Sequence, residues 1–242
     1  MDFCEFEPLF CRSMQENNLK APEQSVIERF WRFDTLLHKV NAVTNLTAIR
    51  NTPEAISKHY IDSLLAAEYI PEGARVLDIG CGPGFPSIPL AIYRPDLTIV
   101  ALDSTAKKIA FVDQAIAELE LSNLTAISGR AEERQISQKL GLFDVVVSRA
   151  VARMNILCEL CLPYVKIGGF LLAMKASKAE EEADEAKNCI QTLGGGETGL
   201  HHKLLKHLDG VSDPRCLISV QKLRKHPIGY PRAYAQIAKK PL

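Results

Sequence analysis

The chain has 242 residues, 47% hydrophobic and 24% charged, with equal numbers of basic and acidic side chains and a formal net charge of zero. That is the profile of a soluble globular protein, long enough for one large α/β domain or a core domain with an added segment. No apolar stretch approaches the ~20 residues of a membrane span. The acidic start, MDFCEFEPLF, lacks the basic n-region of a secretory signal, and seven cysteines are an odd number better suited to reduced thiols than to a disulfide framework. A cytoplasmic protein with no membrane partner is expected.

Residues 1–70 read as a helical segment. Val26, Ile27, Phe30, Trp31, Leu37 and Val40 recur at near-helical spacing. Thr52-Pro53-Glu54-Ala55 suggests an N-cap followed by proline at the first helical position, and Ile56, Tyr60, Leu64 and Ala67 offer one face for the helix that follows. From Arg75 the pattern changes. Short apolar runs at Val76–Ile79, Leu97–Leu102, Leu124–Ser128, Phe143–Ser148 and Phe170–Met174 alternate with helical stretches at Pro86–Tyr93, Thr105–Leu119, Glu132–Leu140 and Ala152–Tyr164. Unbroken apolar strands separated by helices predict a mainly parallel sheet covered on both faces. Cys158 and Cys161 have C-x-x-C spacing, but no second pair completes a zinc site, so they are expected to be core thiols, and no metal is expected. Ala179–Leu193 predicts another helix, whose acidic face (Glu180, Glu181, Glu182, Asp184, Glu185) is taken as solvated surface. Gly194-Gly195-Gly196 ends it. Two last strands, near Leu204–Leu208 and Cys216–Leu223, predict a closing antiparallel hairpin. The expected whole is a helical segment over 1–70 packed on a Rossmann-like domain over 71–242, forming one compact unit.

The chemistry concentrates at strand ends. Val76-Leu77-Asp78-Ile79 runs into Gly80, Gly82 and Gly84, which let the backbone approach a ligand closely. Asp103 closes the next apolar run, about 20 residues on, where an acid can accept hydrogen bonds from ribose hydroxyls. The G-x-G-x-G spacing departs from the dinucleotide pattern, Pro83 removes one N–H, and no Gly-Lys-Ser/Thr follows. A tight loop poor in anion donors suits an adenosine ligand without phosphates, of which S-adenosylmethionine is the common one. Strand ends also deliver Ser104, Ala131 with Glu132, and Arg149. Ala131 and Glu132 are placed to address an adenine edge. Phe85 could line the pocket or pack in the core. Arg149 is suited to a carboxylate or phosphate. The fourth strand end, Ser148-Arg149-Ala150-Val151, lacks the Asn/Asp-Pro-Pro-aromatic sequence of exocyclic-amine methylation, and Cys81 is poorly placed as a nucleophile. A transfer needing neither nucleophile nor strong base is indicated.

From His201 onward there are nine Lys/Arg and two acids, a candidate nucleic-acid surface. Lys166, Lys175, Lys222, Arg224, Lys225 and Arg232 are the candidates for RNA phosphates.

Taken together, the chain resembles the RsmG (GidB) family, which methylates guanine N7 in small-subunit ribosomal RNA. The resemblance rests on Asn45-Leu46-Thr47-Ala48-Ile49, His59 and Asp62-Ser63, on Gly84-Phe85-Pro86, on Asp103-Ser104 with Lys107-Lys108, and on Arg130-Ala131-Glu132, Ser148-Arg149-Ala150-Val151-Ala152 and Lys166-Ile167-Gly168-Gly169. It implies a class I S-adenosylmethionine-dependent methyltransferase fold, with cofactor contacts at Gly80, Phe85, Ala131, Glu132, Arg149 and Asp103. The implied target is the guanine at nucleotide 527 of 16S RNA, in free RNA, the small subunit or an assembly intermediate, with no obligate protein partner. The tail departs from the family pattern between Tyr230-Pro231-Arg232 and Lys239-Lys240. Guanine N7 carries a lone pair and no proton, so in-line transfer by positioning alone is expected, without a catalytic acid or base. Methylation of a protein or small molecule, and a non-catalytic binding module, stay open as alternatives. Nicotinamide chemistry is disfavoured by the glycine spacing.

Overall fold

The computed structural model describes residues 1–242. Five parallel strands, β1 (Arg75–Ile79), β2 (Thr98–Asp103), β3 (Leu124–Ser128), β4 (Phe143–Arg149) and β5 (Val165–Lys175), are extended by the antiparallel hairpin of β6 (Gly195–Lys206) and β7 (Ser212–Lys222). The strand order is β3-β2-β1-β4-β5-β7-β6. The chain therefore leaves β1 in one direction and returns to its other side at β4. Ligands in open α/β sheets bind at such a switch point, outside the carboxyl ends of the strands.

Alternation along the strands divides the core into two layers. Val76, Ile99, Val145, Leu172 and Leu217 face one layer, and Leu77, Val100, Val146, Leu171 and Ile218 face the other. The first layer is covered by α1 (Phe3–Glu16), α2 (Gln24–Thr44), α5 (Ser87–Tyr93) and α6 (Ala106–Leu119). The second is covered by α8 (Met154–Cys161), α9 (Ala179–Glu185), α10 (Lys187–Thr192) and α11 (Tyr234–Lys239), with α7 (Arg134–Leu140) beside β3 and β4. Cys158 and Cys161 are fully buried in this second layer. No helix is long and apolar enough to cross a membrane.

The N-terminal helices join the first layer through stacked and tilted aromatic rings. Phe6 meets Phe10, Phe10 meets Phe30, Phe30 meets Tyr60, and Phe33 meets both Tyr60 and Phe85. Phe85 is the residue after the glycine loop, so this aromatic chain runs from α1 to the carboxyl end of the sheet. Between α2 and β1 the chain forms α3 (Thr52–Ala55), a π-helix over Ile56–Ile61, and α4 (Asp62–Leu64). Asn51, rather than Thr52, is the N-cap: its side chain accepts from the Glu54 N–H at 2.9 Å. The Thr52 hydroxyl instead donates to buried Asp34 at 2.6 Å, and the Tyr60 hydroxyl donates to the same carboxylate at 2.8 Å.

Several boundaries differ from the sequence expectation, among them the start of β7 at Ser212 rather than Cys216. The helix over Ala179–Leu193 is two helices that meet at Ala186. The first hairpin strand begins at Gly195, well before Leu204, because Gly194 turns the chain at φ +80° and Gly195 pairs with Lys222, before an irregularity after which pairing resumes at Thr198. A Cβ on Gly195 would lie 2.6 Å from Ile190. The fifth strand begins at Val165, where it already pairs with Phe143.

Candidate functional site

β1 delivers a loop whose three glycines have positive φ: +75° at Gly80, +56° at Gly82 and +94° at Gly84. At Gly80 there is a second constraint, since a Cβ there would lie 2.3 Å from a methyl of Val151. A Cβ on Gly82 would meet nothing within 4 Å, so this turn faces open space. The Gly80 and Cys81 N–H groups donate to the Leu102 carbonyl at 2.7 and 3.1 Å. The Gly82 N–H donates to Asp103 Oδ2 at 2.9 Å, and the Thr105 N–H to Oδ1 at 2.8 Å. Asp103 thus braces the loop, and each of its oxygens keeps a lone pair. Asp78 lies beneath the loop with no exposure. Its Oδ2 accepts from the Ser87 N–H at 3.1 Å, while its Oδ1 has no partner. Burial raises the Asp78 carboxyl to about 7, against the opposing pull of its Ser87 hydrogen bonds.

Two chambers open on either side of this loop. The smaller, about 370 Å³, is lined by Asp103, Ser104, Ala131, Glu132 and Tyr234. The Ala131 carbonyl accepts from the Tyr164 hydroxyl at 2.6 Å. The Ala131 and Glu132 N–H groups have no partner within the chain. The Glu132 carboxylate pairs with Arg130 at 2.7 Å. The larger chamber, about 700 Å³, is lined by Phe85, Arg149 and residues of the N-terminal segment. Gly80, Lys108, Ala150 and Val151 line both chambers, so the two meet there. Ala150 takes a left-handed conformation, φ +56°, unusual for alanine, and this turn carries Val151 over Gly80.

The larger chamber contains a cluster that the sequence placed only in part. The π-helix presents Lys58 and His59, and Asp62 follows it. The His59 ring stacks on Phe85, with centroids 4.3 Å apart and planes 17° apart. The Arg149 guanidinium lies 5.3 Å from the Phe85 ring centre. His59 Nε2 contacts the Thr47 hydroxyl at 2.8 Å, and its Nδ1 is buried without a partner. Burial, and then the charge of Arg149, lower the His59 imidazole to about 3, so the ring is neutral at pH 7. Arg149 donates to Asp62 and to the Lys58 carbonyl, both at 2.9 Å, and Arg215 donates to the other oxygen of Asp62 at 2.8 Å. The carboxylate that Arg149 holds therefore belongs to the chain itself. Phe85 serves both readings, since it is 4% exposed in the core and still lines the chamber.

The six basic candidates from the sequence do not converge. Lys166 sits at the start of β5, paired with Asp144, Lys222 ends the antiparallel β7 and Arg224 and Lys225 follow it, so all four lie at the opposite end of the sheet from the chambers. Lys222 is not a surface cation: it is 2% exposed, and its ammonium donates to the carbonyls of Leu162 at 2.9 Å and Leu193 at 2.6 Å. Burial lowers it to about 8. Arg224 donates to the Gln191 carbonyl. Arg232 pairs with fully buried Glu159 at 2.6 Å, which anchors the tail and leaves Tyr234 in the wall of the smaller chamber. Only Lys175 reaches the larger chamber, where it pairs with Glu182 at 2.7 Å. The acidic face of α9 is solvated at Glu180, Glu181, Asp184 and Glu185, as expected, although Glu181 and Glu185 pair with Arg153; Glu182 alone turns into the chamber, to Lys175.

Residues 26–208 match the GidB family model, described as rRNA small subunit methyltransferase G. The chain belongs to this family. Relatives named ribosomal RNA small subunit methyltransferase G include one from Lachnoclostridium phytofermentans, 43% identical over 89% of this chain and 89% of that one. Another, from Clostridium kluyveri, is 34% identical over the full length of both. Among solved structures, an O-methyltransferase from Bacillus cereus in complex with SAH aligns over 89% of this chain and all of its own, with a TM-score of 0.56 at 17% identity. A precorrin-6y C5,15-methyltransferase from Geobacter metallireducens covers 74% of this chain and 92% of its own, with a TM-score of 0.51 at 16% identity. These two likenesses concern the fold. Residues 45–63, which carry His59 and Asp62, fall within the matched range. Three contributors had weak sequence signals. Asp78 is an acid inside an apolar run, Arg215 lies in the first half of a strand that reverses direction, and Tyr234 lies in the tail where the family pattern is broken.

Proposed function

We propose that this protein is an S-adenosylmethionine-dependent methyltransferase that modifies N7 of a guanine in 16S rRNA, with nucleotide 527 as the expected position, and that it works in the cytoplasm on the RNA, the small subunit or an assembly intermediate. The observation that carries this reading is the meeting of two chambers at Gly80 and Val151. One is shaped for a nucleoside; the other is lined by six Lys or Arg side chains and only two carboxylates, a composition suited to a polyanion.

The residues of the smaller chamber fit the cofactor. Asp103 keeps free lone pairs for ribose hydroxyls, with Ser104 beside it. The unpartnered N–H groups of Ala131 and Glu132 can address an adenine edge, and Gly80, Gly82 and Gly84 allow the tight loop to come close to the ligand. Bound there, S-adenosylmethionine supplies an electrophilic methyl on a sulfonium.

The chain's own residues then have three tasks. They hold guanine N7 in line with the methyl, exclude water, and tolerate a positive charge that moves from sulfur to purine. The stacked pair of His59 and Phe85 forms an aromatic wall of the larger chamber, a surface for an unstacked base. Arg149, held by Asp62 and the Lys58 carbonyl, fixes that wall from behind. His59 is too weakly basic to take a proton at neutral pH, in keeping with a reaction that releases none from N7. Rate acceleration then comes from orientation. Labelled methyl transfer to 16S RNA tests the reading, together with borohydride–aniline cleavage of 16S RNA from cells lacking the protein. Loss of cleavage at the expected guanine is the expected result. Persistent cleavage there rejects the assignment.

A further inference from the structure

We infer that the RNA strand is gripped at the mouth of the larger chamber by Lys58 and Arg153, and that the glutamates now paired with Arg153 are stand-ins for RNA phosphate. The inference rests on the RNA-methyltransferase reading and adds where the RNA lies. Four of the basic residues that sequence alone nominated are at the far end of the sheet, and Lys222 is buried. Of the six cations of the chamber, Arg215 shares Asp62 with Arg149, Lys108 is half-buried where the two chambers meet, and the other four fall into two groups. Arg149 and Lys175 are 14% and 9% exposed and committed to Asp62 and Glu182, so they are parts of the wall. Lys58 and Arg153 are 43% and 50% exposed and line the same chamber from two different elements, the π-helix and the turn before α8.

Their present partners are exposed carboxylates. Lys58 pairs with Glu54 at 2.8 Å. Arg153 Nη2 reaches Glu185 at 2.6 Å and Glu181 at 3.2 Å. Exposed pairs of this kind contribute little and are screened by salt, whereas a phosphodiester offers the same acceptor geometry together with release of its counterions. Arginine accepts either group with the same planar fork. Glu181 and Glu185 therefore compete with RNA for Arg153, and removing their charge should tighten binding, the opposite of what deleting an RNA contact does.

The test uses the full chain with S-adenosylmethionine and small ribosomal subunits from cells lacking the enzyme, with methyl transfer followed over a salt series. Lys58→Ala and Arg153→Ala should each raise KM by about three- to tenfold with kcat unchanged, and each should reduce the salt slope by about one. The double variant Glu181→Gln/Glu185→Gln should lower KM, and should have no effect in an Arg153→Ala background. Lys225→Ala, exposed at the far end of the sheet, should leave KM and slope unchanged. Calorimetry with S-adenosylmethionine should give the same cofactor affinity for all variants, which separates RNA contact from damage to the fold. An unchanged KM in both Lys58→Ala and Arg153→Ala overturns the inference, as does a raised KM in the double glutamine variant. A wild-type protein that transfers no methyl to the subunits overturns the proposed function instead.

Discussion

One carboxylate, Asp62, serves two guanidiniums from strand ends that are far apart in sequence, Arg149 and Arg215. Removing Arg149 leaves the buried Asp62 carboxylate with Arg215 as its partner, so the loss is that of one charged hydrogen-bonded pair, about 2 kcal/mol. Arg149→Ala should therefore lower the unfolding free energy by about that amount and reduce methyl transfer by at least about a hundredfold, measured by denaturant titration and by transfer of labelled methyl to RNA. His59 gives a second prediction. Its folded value of about 3 lies below its ordinary 6.5, so the folded state binds fewer protons between those limits. The contribution is complete above pH 6.5 and is lost as pH falls toward 3. Between pH 7 and pH 5 the wild type should lose about 2 kcal/mol more than His59→Gln, read from melts at the two pH values. Asp78 has the opposite sign: its raised carboxyl favours the fold at low pH, and that contribution is lost as pH rises through about 7. At this scale the sequence located Gly80, Asp103, Ala131, Glu132 and Arg149 in or beside the chambers because strand ends are legible from apolar runs. It misplaced Lys222 and Arg232 because charge is visible in a sequence while the end of the sheet that a residue reaches is not.

The glycine loop and the turn at Ala150 act together as an element. Val151 fills the space that any side chain at Gly80 would need. Gly80→Ala adds a methyl in that space and strains a positive φ, so it should cost about 2 kcal/mol of stability and abolish cofactor binding, measured by melting temperature and by calorimetry. The short strands β1 and β2 were legible because both of their faces are buried and their runs are mostly apolar, and β3, though a half-buried edge strand, keeps Leu124, Ala126 and Ile127 between clear helical stretches. β6 was not: it is an edge strand that opens on glycines and carries His201, His202 and Lys203 among its apolar residues. The π-helix was legible only as helix, since a single wider turn leaves the spacing of Ile56, Tyr60 and Leu64 almost unchanged. The reach of α9 into the chamber was missed for a related reason, because nothing in a run of acids sets Glu182, which lines the chamber, apart from its solvated neighbours.

At the scale of the whole molecule, the N-terminal helices share one continuous apolar layer with β1, β2, β4, α5 and α6. We therefore expect residues 1–70 and 71–242 to unfold in one transition. A chain lacking residues 1–70 would expose that face of the sheet, and it should show no cooperative melt by calorimetry. The hairpin has a consequence for the shape of the substrate. β5 stops at Lys175 opposite Cys216, while β7 continues through Arg215 to Ser212, a further ~13 Å at strand spacing. Beyond the end of β5 the two hairpin strands lean on the helical segment: Asn17 exchanges hydrogen bonds with Lys206 at 2.8 and 2.9 Å, and the Leu208 N–H reaches Ser57 at 3.4 Å. The chamber thus lies at the foot of a parapet. A rigid double-helical stem would rest on the parapet with its bases out of reach, and only a loop or bulge that projects a single nucleotide could lower it to the chamber floor.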